Sequence, residues 1–209
     1  MSSTKPRVVG APGAQLVVIS GPSGVGKDTI IRVLKERNPD PNRQYVITYK
    51  SRDRRPGEVD GVDYHFVSPE TFQRLADEDA FLETAKVYDQ WSGTPFDQVA
   101  DALQSGRDAV LKVDVQGAHA VRQKVPDAIL IFVAPPSLET LSGRLIGRAT
   151  ESEDQLQRRQ SAAASELASQ TGFDYVLVNR TDEADATAEE IERIVAAERA
   201  RHPRRQIRV

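Results

Sequence analysis

Short apolar runs recur along the chain and are separated by stretches with helical spacing of apolar residues. The runs that predict strands most clearly are 16–19, 109–115, 128–133 and 175–179. Near-continuous apolar strands are covered on both faces, so the pattern predicts an α/β fold with a mostly parallel sheet between layers of helices. Ligands of such folds bind at the carboxyl ends of the strands, where Asp114 and Asn179 lie.

The remaining pattern predicts weaker strands, several helices and two polar loops. Strands are predicted at 45–49 and 81–88, loops at 50–66 and 89–95, and helices from 29 to 37, from Ser68 as N-cap, and at 96–103, 137–148, 156–168 and 185–199. The loop at 50–66 is rich in Arg, Gly, Asp and Tyr and poor in core residues, which favours contact with a polar ligand. The helices 137–148 and 156–168 are joined by a polar break, which indicates a flap.

A glycine-rich loop follows the first predicted strand and leads directly into the first predicted helix. This strand–loop–helix context with the spacing G-x-x-x-x-G-K predicts a phosphate-binding loop, whose backbone N–H groups and helix dipole attract an anion. Lys27 adds a mobile positive charge for the outer phosphates. The residues predicted to bind ATP phosphates are Gly21, Pro22, Ser23, Gly24, Val25, Gly26, Lys27, Asp28 and Thr29.

Asp28 departs from the loop pattern, which has Ser or Thr at this position to hold Mg²⁺ through a hydroxyl. A carboxylate is a stronger Mg²⁺ ligand than a hydroxyl, so Asp28 is the candidate metal ligand. Three interpretations remain open: Asp28 binds the ion directly, binds it through water, or caps the helix.

Length and composition narrow the class of protein. A chain of 209 residues forms one sizeable domain, or a core with small inserted subdomains. The absence of cysteine excludes disulfides, His65, His119 and His202 lack metal spacing, and no apolar run approaches the roughly 20 residues of a membrane span. A net charge of −3 gives no attraction to nucleic acid. We therefore expect a cytoplasmic enzyme with no membrane or nucleic-acid partner.

Further motifs, in order and over most of the chain, point to a known family. They are Arg52-x-x-Arg55-Pro56-Gly57-Glu58-x-Asp60-Gly61-x-Asp63-Tyr64-x-Phe66, Phe81-Leu82-Glu83, Gly93-Thr94, Asp114-Val115-Gln116-Gly117, Pro135-Pro136-Ser137, Arg144-Leu145-x-x-Arg148, Arg159 with Glu166, and Asp174-Tyr175-x-x-x-Asn179. With the phosphate loop, this series resembles the guanylate kinases of the nucleoside monophosphate kinase group from about residue 15 to 200.

The resemblance implies a P-loop three-layer fold with an inserted GMP-binding lobe and a helical lid. It implies a kinase domain at 15–200, with its core at 15–47, 101–148 and 170–200, the GMP-binding lobe at 48–100 and the lid at 149–169. Outside the domain we expect a flexible arm at 1–14 and a solvated basic tail at 201–209.

The resemblance also implies phosphoryl transfer from ATP to GMP, and to dGMP, with Mg²⁺. It assigns catalysis to Lys27, Arg148 and Arg159, and places Asn179 near adenine. A carboxylate at Glu83 would read guanine by accepting from N1–H and the 2-amino group, a donor pair that adenine lacks. The GMP-binding residues it implies are Thr48, Arg52, Arg55, Tyr64, Glu83, Thr94 and Asp114. The protein would be a monomer or homodimer.

The sequence departs from the family pattern at Lys50-Ser51, Arg54, Ser92 and Lys112. Ser92 lacks a phenol that would contact the GMP phosphate, and Lys112 stands where the family has an aspartate. We hypothesise that Lys112 compensates for the charge of Asp28. Two alternatives stay open: a ribose 1,5-bisphosphate-type kinase of the same fold, or a guanylate-kinase-like module that binds nucleotides with weak catalysis.

Overall fold

The computed structural model describes residues 8–37, 39–87, 90–146 and 165–209, with the side chains of 87, 145 and 146 left out. Its strands are β1 Leu16–Ser20, β2 Arg43–Tyr45, β3 Tyr49–Lys50, β4 His65–Phe66, β5 Phe81–Val87, β6 Gln90–Pro95, β7 Asp108–Lys112, β8 Ile129–Ala134 and β9 Tyr175–Val178. Its helices are α1 Lys27–Arg37, α2 Pro69–Asp77, α3 Phe96–Gln104, α4 Val115–Lys124, α5 Leu138–Ile146 and α6 Ala184–Arg201, with a 3-10 turn at Ser169–Gly172.

The larger sheet has five parallel strands in the order β2-β7-β1-β8-β9. One face packs on α1 and α6 through a cluster that includes Ile30 and Ile194, and the other packs on α3 and α4 through a cluster that includes Leu103 and Val121. The parallel sheet between helical layers confirms the predicted fold class. Its carboxyl edge gathers the ends of β1, β7 and β8, where the phosphate loop begins.

The smaller sheet, in the order β4-β3-β6-β5, lies in the segment between α1 and α3. The predicted loop at 89–95 is wrong from residue 90 onward, because β6 pairs antiparallel with β5. Trp91 on β6 stacks on Phe72 with 5.9 Å between ring centroids. A Cβ at Gly93 would lie only 2.8 Å from the Phe81 ring, so this glycine serves close packing rather than a turn.

The strand predicted at 45–49 is divided between the two sheets. β2 is an edge strand of the larger sheet, and β3 belongs to the smaller sheet. Residues 46–48 connect the two strands. The Gln98 side chain fixes this connection, since its Oε1 accepts from the Ile47 backbone N–H at 2.9 Å. The connection is therefore a short, hydrogen-bonded link between the two sheets.

The two ends of the described chain pair with each other. Val8 and Val209 exchange two backbone hydrogen bonds of 2.9 Å, and the Gly10 N–H donates to the Ile207 carbonyl. Ile207 is fully buried in the core on the α3 side. The expectation of a flexible arm is thus wrong for residues 8–14, and that of a solvated tail is wrong around Ile207, because an apolar side chain among the arginines supplies a core contact.

Some predicted elements agree with the structure, and others lie partly outside the described residues. Ser68 caps α2, as predicted, and its Oγ accepts from the Thr71 N–H at 3.2 Å. Of the predicted lid at 149–169, only 165–169 lies within the described ranges. No helix in those ranges is both long and apolar enough to cross a membrane.

Candidate active site

The phosphate loop connects β1 to α1 in a conformation that its glycines permit. Gly21 has a φ of +140°, and a Cβ there would lie 2.2 Å from the Val133 carbonyl oxygen. Only glycine fits such a position without displacing β8. The Lys27 Nζ donates to the carbonyls of Gly21 at 2.5 Å and Pro22 at 3.0 Å. The ammonium therefore lies inside the loop, and loss of water around it lowers the pKa of Lys27.

Asn179 and Arg144 brace the loop from behind. The Asn179 amide donates to the Val25 carbonyl at 2.8 Å and accepts from the Thr187 hydroxyl at 3.1 Å. Arg144 donates to the same Val25 carbonyl at 3.1 Å. Both polar atoms of the Asn179 side chain are thus occupied by the chain. The structure shows Asn179 as a support of the loop backbone, and its contact with adenine stays a prediction.

A cavity of about 160 Å³ separates the phosphate loop from the smaller sheet. Its walls include most of the predicted phosphate ligands together with cations that were not predicted as ligands. The predicted residues that line it are Gly21, Ser23, Gly24, Gly26, Lys27, Asp28, Arg52, Arg55, Tyr64 and Asp114, and the additional ones include Lys50, Ser92, Lys112 and Glu166. Two sets of residues that are predicted to bind phosphate thus face each other across one cavity.

Three other residues predicted to bind ATP phosphates do not line this cavity. Pro22 and Val25 are buried, and Thr29 is exposed on α1. Arg148 and Arg159 lie outside the described residues.

Arg52 is held in place before any ligand binds. Its guanidinium forms two hydrogen bonds of 2.7 Å with Glu58 and lies over the Tyr64 ring at 5.7 Å from its centroid. Glu58 also accepts from the Arg55 backbone N–H at 2.8 Å. The carboxylate therefore orders the loop that carries both arginines, and the bidentate pair raises the pKa of Arg52.

Glu83 is buried behind the cavity wall with one oxygen unpaired. The Thr94 hydroxyl donates to Glu83 Oε1 at 2.6 Å, whereas Oε2 has no hydrogen-bond partner among the described residues. Burial raises the pKa of Glu83 to about 7. Thr48 and Thr94 are also buried, and none of these three residues lines the cavity. A buried carboxylate oxygen without a donor is an acceptor available to a ligand N–H.

Asp114 and Gly117 lie at the start of α4, and Gly117 packs against Glu83. Asp114 caps α4 by accepting from the Gly117 N–H at 2.9 Å, and it also lines the cavity. A Cβ at Gly117 would lie 2.8 Å from Glu83 Oε2. Because residue 117 is glycine, there is room for the unpaired Oε2 of Glu83 beside α4.

Asp28 and Lys112 form an ion pair across the larger sheet's carboxyl edge. The Lys112 Nζ lies 2.5 Å from Asp28 Oδ1, and the Tyr64 hydroxyl donates to the same oxygen at 3.4 Å. The ammonium also lies 4.3 Å from the centroid of the Tyr64 ring. Although burial acts to lower it, contacts with Tyr64 and Asp28 hold the pKa of Lys112 above its usual value. The proximity that the charge-compensation hypothesis requires is present.

Glu166 is a further residue that sequence reasoning did not assign. Its carboxylate lines the cavity with Lys27, and the nearby Ser23 backbone N–H acts to lower its pKa. Burial raises the pKa of Glu166, and the Lys27 charge opposes that rise. A carboxylate thus lies at the loop N–H groups that were predicted to bind phosphate, and the loop's affinity for anions is visible within the chain itself.

The residues whose roles the sequence analysis did not assign differ in the sequence features that could have revealed those roles. Lys50 and Lys112 depart from the family pattern, and each adds a cation beside the phosphate loop, which is a signal in the sequence for a ligand role. Arg144 and Glu166 were visible as family motif positions. Their contacts with Val25 and Ser23 join residues more than 100 positions apart. No local pattern could reveal those contacts.

Comparison with known proteins identifies the family. The family profile described as guanylate kinase matches residues 13–198. A guanylate kinase of Mycobacterium sp. (strain MCS) is 49% identical over 167 residues, covering 79% of this chain and 83% of its own. One from Caldanaerobacter subterraneus subsp. tengcongensis is 45% identical over 186 residues, covering 89% and 88%.

The fold comparison agrees with the sequence comparison. The crystal structure of guanylate kinase from Anaplasma phagocytophilum superimposes with a TM-score of 0.70 at 29% identity, covering 91% of this chain and 88% of its own. The phosphate loop, the facing arginines and the buried Glu83 occur in a chain whose similarity to these proteins extends over most of its length. The chain belongs to the guanylate kinase family.

Proposed function

We propose that this protein transfers the γ-phosphoryl group of ATP to GMP, and to dGMP, giving ADP and GDP or dGDP. The observation that carries the proposal is the cavity in which the phosphate loop with Lys27 faces Arg52, Arg55 and Tyr64. A donor phosphate and an acceptor phosphate bound at these two walls would meet within one cavity. The names of the relatives support this choice over a sugar-phosphate kinase or a binding module with weak catalysis.

Each wall of the cavity has a separate task in this reaction. The loop N–H groups and Lys27 hold the donor phosphates, while Arg52 and Arg55 hold the acceptor phosphate through guanidinium forks. Tyr64 would donate its hydroxyl to that phosphate. Alignment of the acceptor oxygen with the γ-phosphate in a site shielded from water provides most of the rate enhancement, so no general base is needed.

Glu83 would determine the choice of base. Its unpaired Oε2 and its paired Oε1 could accept the N1–H and 2-amino protons of guanine, with Thr94 beside it. Thr48 would also contact GMP. Because adenine offers no matching donor pair, the buried carboxylate would stay unsatisfied with AMP. The carboxylate, rather than the acid, is required for this recognition.

Arg148 and Arg159 are proposed to approach the transferred group from the lid. Their guanidinium groups would offset the charge that spreads over the phosphoryl oxygens in the transition state.

The loop residues suit a magnesium ion that arrives with ATP. Mg²⁺ in phosphoryl-transfer sites is held by one or two carboxylates together with substrate phosphates. Among the described residues no group of three or more His, Asp or Glu side chains could hold a metal ion alone. Asp28 would supply the protein ligand, and the ion, when bound, would neutralise charge on the β- and γ-phosphates.

The proposal has further parts that concern the protein as a whole. We propose a cytoplasmic monomer or homodimer that acts on free nucleotides. The net charge of −3 supports small-molecule substrates over nucleic acid.

A coupled assay of ADP release tests the proposed reaction. The purified chain is given ATP, Mg²⁺ and one acceptor at a time: GMP, dGMP, AMP, CMP, UMP or ribose 1,5-bisphosphate. We expect turnover with GMP and dGMP and far less with the others. Turnover with the sugar phosphate instead, or GMP binding in calorimetry with no turnover, would overturn the proposal in favour of one of the two alternatives.

A further inference from the structure

Lys50 lies at the end of β3 that faces the cavity, directly opposite Ser92 on β6. The two residues are cross-strand partners in the antiparallel pairing of these strands. The Lys50 Nζ donates to the Ser92 hydroxyl at 2.8 Å, and both side chains line the cavity. The short serine side chain leaves the lysine free to extend along the sheet, so the pair fixes where the ammonium lies.

The surroundings of this ammonium suit an anion that is not part of the protein. Among the described residues, no carboxylate lies within ion-pair distance of Lys50. Its Nζ lies 5.2 Å from the Tyr64 ring centroid, on the cavity wall that also carries Arg52. A cation withdrawn from water without a counter-ion is costly, which favours binding of an anion at this point.

Charged groups on several neighbouring elements act on the pKa of Lys50. Burial lowers the pKa of Lys50 to about 8, and the cations of Arg52 and Lys112 act in the same direction. The carboxylates of Asp114 and Glu83 oppose this shift. A bound phosphate would raise the pKa of Lys50, because a dianion beside the ammonium favours its charged form.

Arg52 and Lys50 differ in the charge that they can offer a ligand. The Arg52 guanidinium is already paired with Glu58 through two hydrogen bonds. The Lys50 ammonium has the Ser92 hydroxyl, a neutral acceptor, as its hydrogen-bond partner. Lys50 therefore brings positive charge that is not cancelled within the lobe.

We propose that Lys50 binds the phosphate of the acceptor nucleotide, with Ser92 positioning its ammonium. The inference rests on the proposed function, because the acceptor in question is GMP. It adds a phosphate ligand at two positions where this chain departs from the family pattern. The Lys50–Ser92 pair supplies a cation at the position where the pattern has hydroxyl groups.

The test compares binding of GMP with binding of guanosine, which lacks the phosphate, by calorimetry or by competition. The variant is Lys50→Met, and the matched control is Lys86→Met, an exposed lysine on β5, which pairs with β6 on the side away from β3. Loss of a charged hydrogen bond predicts about 10- to 100-fold weaker GMP binding in Lys50→Met, with guanosine binding unchanged. The control should bind both ligands as the wild type does, and Lys50→Arg should retain most of the GMP affinity.

The pH dependence supplies a second readout that a structural role would not give. The ratio of GMP affinity to guanosine affinity should fall as the pH rises through about 8 in the wild type, and stay flat there in Lys50→Arg. Equal weakening of both ligands in Lys50→Met, or unchanged GMP binding, would overturn the inference. A wild-type protein that does not bind or turn over GMP would instead overturn the proposed function.

Discussion

The ion pair between Asp28 and Lys112 allows the charge-compensation hypothesis to be tested quantitatively. At the observed separation of 2.5 Å and an effective dielectric constant of about 20, Coulomb's law gives about 7 kcal/mol of gross attraction. The Asp28 side chain is 62% exposed, so water and salt screen the pair, and withdrawal of Lys112 from water offsets more of the attraction. A coupling energy of about 1 kcal/mol remains, because exposed pairs measure 0.2 to 1 kcal/mol.

The perturbation is a double-mutant cycle of Asp28→Ser, Lys112→Asp and the double variant. Asp28→Ser leaves the buried ammonium without its carboxylate and should lower the melting temperature by about 2–4 °C per kcal/mol lost. Lys112→Asp places two carboxylates together and should be the most destabilised. In the double variant the repulsion between carboxylates is absent, so the stability losses of the two single variants should not add.

The decisive assay is kcat/KM for GMP at several Mg²⁺ concentrations, with melting temperatures measured alongside. We expect Asp28→Ser to lose more activity than the double variant, by about fivefold for a coupling near 1 kcal/mol. The Mg²⁺ concentration for half-maximal activity should rise in Asp28→Ser. Equal losses in the single and double variants, together with additive melting temperatures, would refute the idea that Lys112 compensates for Asp28.

Two further predictions concern Glu83 and Ile207. Glu83→Gln should lower kcat/KM for GMP by roughly 100-fold or more, because an amide cannot accept from two guanine donors. In the wild type, the folded-state pKa of Glu83 is about 7 against an ordinary 4.5. The free energy of unfolding should therefore fall by roughly 3 kcal/mol as the pH rises from about 4.5 to 7, a decline that urea titrations should find absent in Glu83→Gln. Ile207→Ala should cost about 2–5 kcal/mol of stability and leave kcat unchanged. A melting temperature no lower than that of the exposed control Arg208→Ala would contradict this packing.

The central sheet could be predicted because its strands are local, continuous apolar runs. Residues 16–19 and 128–133 carry the signal by themselves, and their strands β1 and β8 lie within one residue of the predicted bounds. The phosphate loop could likewise be predicted, since its function depends on spacing within eight residues. What is encoded locally was recoverable from the sequence.

The smaller sheet and the cation contacts depend on distant partners. The segment Gln90–Pro95 contains Gly and Pro and has the composition of a turn, yet hydrogen bonds with β5 make it a strand. Lys112 lies 84 positions from Asp28, and Lys50 lies 42 positions from Ser92. The unusual residues at these positions indicate a departure from the family pattern. Which residues pair with each other is visible only in the folded structure.

The hydrogen-bonded ends have a consequence for engineering the protein. Val8 and Val209 meet at one point, near the amino edge of the parallel strands, because Gly10 and Ala11 contact Ile207 and Leu103. A short Gly-Ser linker could join residue 209 to residue 8, with new ends opened at the exposed turn 126–127. Such a circular permutant would keep its core contacts and leave the cavity beside the phosphate loop, at the opposite edge of the sheet, unobstructed. Reporter domains fused at residues 8 or 209 would likewise stand away from that cavity.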